Sequence, residues 1–222
     1  NRQLQKENQL KDALLKIETQ NKLQEQRLRI SRDLHDNIGA QLTFIISSLD
    51  NLKYGFKIPE KLGDKIKVIS EFTTTTIHEL RDTIWAMNKD KITFEDLQIR
   101  ISNFIDQANL AAQNIKFNFN VDKSVDNDMA FTSVKGMNIY RIIQEAINNA
   151  VKYAEASSIN VNISNDHDKM LIKIKDDGKG FDEKNVKLGN GLNNMKKRAD
   201  DIKGQLTIQS EIGKGTTVEV KI

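Results

Sequence analysis

The stretch "RDLHDNIGAQLT" at residues 32–43 sets a histidine directly beside an aspartate, His35-Asp36, with Gly39 one turn further on. A neutral imidazole is nucleophilic at physiological pH. An adjacent carboxylate can fix its tautomer and stabilise the cation that develops on attack. A polar pair on a solvated helix face would read the same way locally, so the pair alone decides nothing. A second group stands far along the chain. Glu145, Asn149 and Lys152 are spaced i, i+4 and i+7, which puts them on one polar stripe of a helix. A carboxylate, an amide oxygen and a lysine suit a magnesium–phosphate site. Mg²⁺ wants oxygen ligands and takes few of them from protein, the rest from water and phosphates. An ordinary solvated face is the alternative for these three.

Asp176 is more informative. In the strand-like run 169–177, Met170, Ile172 and Ile174 share a face, and a period of two puts Asp176 on that same apolar face. A carboxylate there is costly unless it is paired. The amino group of a purine is a suitable partner, because an ionised Asp only accepts hydrogen bonds. Asp177 fits a turn cap better. Three Gly-x-Gly steps follow: Gly178-Lys179-Gly180, Gly189-Asn190-Gly191 and Gly213-Lys214-Gly215. Singly they mark turns. The first and second bracket an irregular segment, 178–189, whose backbone N–H groups and lysines could cover phosphates. "GKGTT" is not a P-loop. That motif needs four residues between its glycines and then a helix, whereas Thr216-Thr217 run into the strand "VEVKI".

These groups need elements to hold them. Residues 1–54 contain no proline and one glycine, and apolar residues recur at spacings of three and four. Leu10, Leu14 and Ile17 open the stripe, and Ile30, Leu34, Ile38, Leu42, Ile45, Leu49 and Leu52 close it, with a polar slip near Asn21 and Gln24. At about 1.5 Å per residue such a helix is roughly 80 Å long, and it must pair with another helix to cover its stripe. "YGFKIPEK" (54–61) is a turn, with Pro59 suited to a first helical turn. Leu62, Ile66, Ile69, Thr73, Thr76, Leu80 and Met87 then continue a heptad stripe to about Asn88. Two such hairpins close a four-helix bundle, so a homodimer is expected. On an ideal helix of about 100° per residue, His35 lies roughly 75–80° from the stripe centre, at the edge of the seam.

After the linker "NKDKIT" the pattern changes. Helices are expected at 94–113 (capped by Thr93), 132–154 and 189–204. Strands are expected at 115–121, 158–164, 169–177, 205–211 and 215–222. Helices on one face of a mixed, mostly antiparallel sheet make an α/β sandwich. The reading divides the chain into a coiled coil (1–28), a hairpin (29–88), a linker (89–93) and an α/β domain (94–222).

Composition bounds the rest. Net charge is +3, from 34 basic and 31 acidic residues that are well mixed, which argues against a nucleic-acid binder with a basic stripe. There is no cysteine, so disulfides, thiolate metal sites and thiol nucleophiles are excluded, and a reducing, cytoplasmic setting is expected. No apolar run approaches the ~20 residues that span a bilayer. The first residue is Asn1, so the chain reads as part of something longer, with any membrane anchor in a missing sensor segment.

Taken together, "QEAINNAVKYA" (144–154), "DDGKGF" (176–181), "GNGLNNMKKRA" (189–199) and "GKGTTVEVKI" (213–222) resemble the N, G1, G2 and terminal boxes of the GHKL ATPases, which have the Bergerat-type fold. "RISRDLHDNIGAQLT" (29–43) resembles the phospho-acceptor box of two-component sensor histidine kinases, in the subfamily typified by DesK and NarX. The resemblance covers the chain from about Arg27 to Ile222. It implies an autokinase using ATP and Mg²⁺, with His35 as phospho-acceptor and Asp36 as its orienting or proton-accepting neighbour. It further implies Asn149 and Glu145 at the metal, Lys152 near phosphate and Asp176 reading adenine. Gly178, Gly180, Gly189 and Gly191 would shape the lid, and Leu192 and Thr216 fall in the nucleotide-binding boxes. The implied partners are a second copy and the receiver domain of a response regulator. One departure stands out. Dephosphorylating members often carry Gln or Asn five residues after the histidine, where this chain has Ala40, with Gln41 next. The competing readings are a non-catalytic dimeric nucleotide-binding module, or another GHKL ATPase such as a protein-serine kinase.

Overall fold

The structure, a computed structural model, describes residues 2–182 and 190–222. The chain divides into two compact units, Asn1–Lys89 and Asp90–Ile222.

The first unit is helical. α1 (Arg2–Asp33) runs into a π-helical segment (Leu34–Gly39) and continues as α2 (Ala40–Gly55). α3 (Glu60–Met87) returns antiparallel and packs on α2 and on the π-helical segment. Pro59 is the residue before α3 rather than its first helical residue, and its carbonyl accepts from Leu62 N and Gly63 N at 2.9 and 3.0 Å. Arg27 ties α1 to the end of α3 by donating to the carbonyls of Met87 and Lys89 at 3.0 and 3.1 Å. The stripe remains uncovered within this unit. Leu10, Leu14, Ile17, Ile30, Ile38, Ile45 and Leu52 are all more than 40% exposed, as are Leu62 and Ile69 of α3.

The π-helical segment corrects one expectation. A helix with i→i+5 bonds turns by less than 100° per residue. The phase angle of His35 taken from a regular helix therefore does not hold across residues 34–39.

The second unit opens with β1 (Lys91–Thr93), residues expected to be linker. β1 pairs antiparallel with β3 (Ala130–Thr132), a strand the alternation test missed because both are three residues long. α4 (Phe94–Ala111) begins at a capping box. Thr93 Oγ1 accepts from Asp96 N at 3.1 Å, and Asp96 Oδ2 accepts from Thr93 N at 3.2 Å. The remaining elements are β2 (Lys116–Val121), α5 (Ser133–Asn149), a π-helical turn (Ala150–Ala154), β4 (Ser158–Asp166), β5 (Lys169–Asp176), α6 (Asn190–Asp201), β6 (Gln205–Glu211) and β7 (Gly215–Lys221).

The main sheet has the order β2-β4-β5-β7-β6, parallel only between β2 and β4. Its buried face carries Ile159, Val161 and Ile163 of β4, Met170, Ile172 and Ile174 of β5, and Val218 and Val220 of β7. The helices supply Leu97, Ile101 and Ile105 of α4, Ile139, Ile142, Ile143, Ala146 and Ile147 of α5, and Met195 and Ala199 of α6. A helix layer on one face of a mixed sheet is the expected sandwich. No helix among the described residues is long and apolar enough to cross a membrane.

Candidate active site

In the helical unit, His35 lies in the first turn of the π-helical segment. Its Nδ1 is 3.0 Å from Asp36 Oδ1. The two side chains are 69% and 64% exposed, so the imidazole is open to a second reactant. Its other nitrogen, Nε2, makes no hydrogen bond among the described residues. His35 and Asp36 border a cavity that Ala40 also lines but Gln41 does not. The other two histidines, His78 and His167, are both exposed and are not among the residues lining this cavity.

In the second unit, a cavity of ≈ 560 Å³ opens between α5, the end of β5, the start of α6 and β7. This is within the usual range for a small-molecule site. Asp176 ends the buried face of β5 and is 5% exposed. Its Oδ1 accepts from Gly178 N at 2.9 Å and Thr216 N at 3.2 Å. Its second oxygen makes no hydrogen bond to any described residue, on a side chain that lines the cavity. On an otherwise buried side chain, that accessible oxygen is an acceptor of the kind an amino group would satisfy. Asp177 does something else. It accepts from Ser157 Oγ at 2.6 Å and from Ser157 N and Ser158 N, both at 2.8 Å. Those hydrogen bonds, that of the Ser157 hydroxyl first, hold its carboxyl below the ordinary Asp value.

Close backbone approaches fix the cavity's walls. Gly215 has φ +81°, and a Cβ there would come 2.1 Å from the Asp176 carbonyl oxygen. Gly178 packs against the last turn after α5, where Lys179 N donates to Ala154 O at 2.7 Å. Phe181 N donates to Ser210 Oγ at 2.9 Å, tying the loop after β5 to the β6–β7 hairpin.

At the other end, Asn149 Nδ2 donates to Glu145 Oε1 at 3.3 Å. Asn149 Oδ1 and Glu145 Oε2 are left without hydrogen-bond partners among the described residues. Two oxygens one helical turn apart match what Mg²⁺ takes from a protein when phosphates and water supply the rest. No group of three or more His, Asp or Glu suited to a metal occurs among the described residues. Gly191, in the first turn of α6, lies so near that a Cβ would come 2.0 Å from Glu145 Oε1.

The cavity thus brings together Glu145, Asn149, Asp176, Gly180, Gly191, Leu192 and Thr216. It does not include Lys152. The i, i+7 alignment assumed a regular helix, but the chain widens to a π-helical turn at Ala150, and Lys152 is exposed outside the lining. Gly178 acts through its N–H on Asp176 rather than by lining the cavity. Gly189 lies outside the described residues. Sequence reasoning missed Tyr153, Lys179, Phe181 and Met195, all of which line the site. For the two aromatics the available signal was their place inside the quoted boxes, Tyr153 in "QEAINNAVKYA" and Phe181 in "DDGKGF". Lys179 Nζ sits 2.7 Å from Glu155 Oε1 and holds that carboxyl below its ordinary value.

Residues 26–91 match a family described as histidine kinase, and residues 135–222 match the histidine kinase-, DNA gyrase B-, and HSP90-like ATPases. An exposed His-Asp pair on a hairpin is thus followed along the chain by an α/β sandwich with a buried carboxylate lining its cavity. Both parts of a sensor histidine kinase core are therefore matched, in order, along the chain. The chain is 29% identical to the sensor histidine kinase LiaS of Bacillus subtilis over 206 residues, covering 90% of this chain and 54% of LiaS. It is 28% identical to YxjM of the same organism over 201 residues, covering 89% of this chain and 47% of YxjM. The chain spans about half the length of these curated relatives. Among solved structures, the Acinetobacter baumannii histidine kinase AdeS has a similar fold, with a TM-score of 0.54 at 16% identity, over 85% of this chain and 96% of that one.

Proposed function

We propose that this chain autophosphorylates His35 from ATP with Mg²⁺ and passes the phosphoryl group to an aspartate of a response-regulator receiver domain. One observation carries the reading. Asp36 holds Nδ1 of an exposed His35, which leaves Nε2 as the free nitrogen. With Nδ1–H donating to Asp36, the lone pair of Nε2 is the nucleophile. It attacks the γ-phosphorus, the N–P bond forms, and the bond from phosphorus to the β–γ bridging oxygen breaks. ADP leaves with that electron pair. The proton stays on Nδ1, where the Asp36 carboxylate stabilises the cationic ring.

In the ATPase unit, Asp176 accepts from the adenine amino group, and Asn149 and Glu145 offer oxygens to Mg²⁺. When bound, Mg²⁺ neutralises phosphate charge, which is most of what phosphoryl transfer asks of an enzyme. The uncovered apolar stripe of the hairpin supports a homodimer closing a four-helix bundle, since each buried Leu or Ile is worth about 1.5–3 kcal/mol. The cavity beside His35 has Ala40, not an amide, at the position five residues on, so transfer to a partner is favoured over dephosphorylating it.

Incubation with labelled ATP and Mg²⁺ tests the assignment. Label that is acid-labile and alkali-stable is expected, absent from His35→Gln and strongly reduced in Asn149→Ala. Label persisting in His35→Gln refutes the role of His35, and full labelling of Asn149→Ala refutes the metal role. Mixing the two variants shows by complementation whether transfer runs between subunits.

A further inference from the structure

The cavity next to His35 is also lined by an arginine of α3, Arg81. It measures ≈ 500 Å³ and lies between the π-helical segment and α3, with His35, Asp36 and Thr43 on one side and Ile77, Leu80 and Arg81 on the other. Arg81 makes no hydrogen bond or ion pair with any described residue. Asp36 borders the same cavity, but its contact is with His35 rather than Arg81. Arg81 therefore lines this cavity as an exposed cation that is not committed to a partner among the described residues.

The chemistry of the reaction supplies a reason. A phosphoryl group on His35 adds about two negative charges directly beside Asp36, and like charges at such a distance repel. The cavity lining offers one permanent cation to offset them, Arg81. A guanidinium presents a planar fork that matches phosphate oxygens bidentately. Ile77 and Leu80 of the same helix line the cavity beside it.

We propose that Arg81 binds the phosphoryl group carried by His35 Nε2, both as it arrives from ATP and in the phosphohistidine. The proposal rests on His35 being the phospho-acceptor. Loss of a hydrogen bond to a charged group corresponds to roughly ten- to a hundredfold. Arg81 is exposed, so a figure near tenfold is expected.

The test uses the whole chain and three variants, Arg81→Gln, Arg81→Lys and His35→Gln. Three quantities are read: the maximal rate of labelling, the ATP concentration for half-maximal labelling, and the fraction of labelled protein at equilibrium in fixed ATP:ADP mixtures. Arg81→Gln is expected to lower the maximal rate about tenfold and to shift the equilibrium toward ATP by about the same factor. Half-saturation should not change, because the nucleotide cavity is in the other unit. Arg81→Lys should recover part of both effects, keeping the charge without the fork. A wild-type equilibrium in Arg81→Gln overturns the proposal even if the rate falls, since a merely structural role would slow labelling without moving the equilibrium. Label in His35→Gln overturns the underlying reading instead, and the two failures are distinguishable.

Discussion

Replacing Asp176 with Asn changes one atom that matters. Two backbone donors, Gly178 N and Thr216 N, both point at Oδ1. An amide in this place must keep its oxygen there, because turning the NH₂ inward would set a donor against two donors. The NH₂ is therefore forced to replace the second oxygen, the one facing the cavity. Folding is then little affected, since both inward hydrogen bonds survive. Recognition inverts. An adenine amino group meets a donor instead of an acceptor and loses a charge-assisted hydrogen bond worth about 1.5–3 kcal/mol, or roughly 10- to 150-fold in affinity. A purine with a carbonyl at the same ring position, such as guanine or hypoxanthine, gains an acceptor match. Displacement titration of a fluorescent ATP analogue by ATP and by ITP gives both affinities in the wild type and in Asp176→Asn. The expected result is ATP weakened at least tenfold and the ATP:ITP preference reduced by more than that. Unchanged ATP affinity in a variant of wild-type thermal stability would refute the adenine-facing role of Asp176.

Gly191→Ala would place a methyl carbon 2.0 Å from Glu145 Oε1, so the flexible carboxylate must swing off Asn149 while the backbone stays. Displacing a group that supports a metal ligand costs about 10- to 100-fold, read as lower nucleotide affinity in Mg²⁺ with little change in EDTA, and an equal loss in both buffers would refute this. Asp177→Ala removes three hydrogen bonds that hold its carboxyl below the ordinary value of 3.8. A depressed carboxylate stabilises the fold above its unfolded value and loses that contribution as pH falls through the folded one. The variant should therefore melt a few degrees, roughly 2–5 °C, below the wild type at pH 7 and converge with it in acid, and a deficit constant down to pH 2 would refute the argument.

Much of the local arrangement around the cavity is legible in the sequence. A period of two placed Asp176 beside Ile174 on the buried face of β5, and a spacing of four placed Glu145 and Asn149 on one face of α5. Both are properties of a single regular element, so local periodicity suffices. The stripe from Leu10 to Leu52 likewise required a second helix, and the turn at Pro59 supplied it. The errors lie where an element stops being regular. Lys152 was carried onto the Glu145 stripe across Ala150, and the phase of His35 was carried across Leu34, but at both places the helix widens to π geometry. Such widening is set by what packs around a turn, and no residue in "LHDNIG" or "AVKYA" announces it.

By itself, then, the sequence determined which residues have reactive chemistry, which elements carry them and in what order. It also determined that the hairpin exposes an apolar seam. Tertiary structure decided which of those residues meet. The α6 backbone at Gly191 comes against Glu145, the β7 N–H of Thr216 reaches Asp176, and Arg81 of α3 borders the cavity of His35. Each contact joins elements distant along the chain, so its geometry follows from how the layers and helices pack rather than from any local pattern.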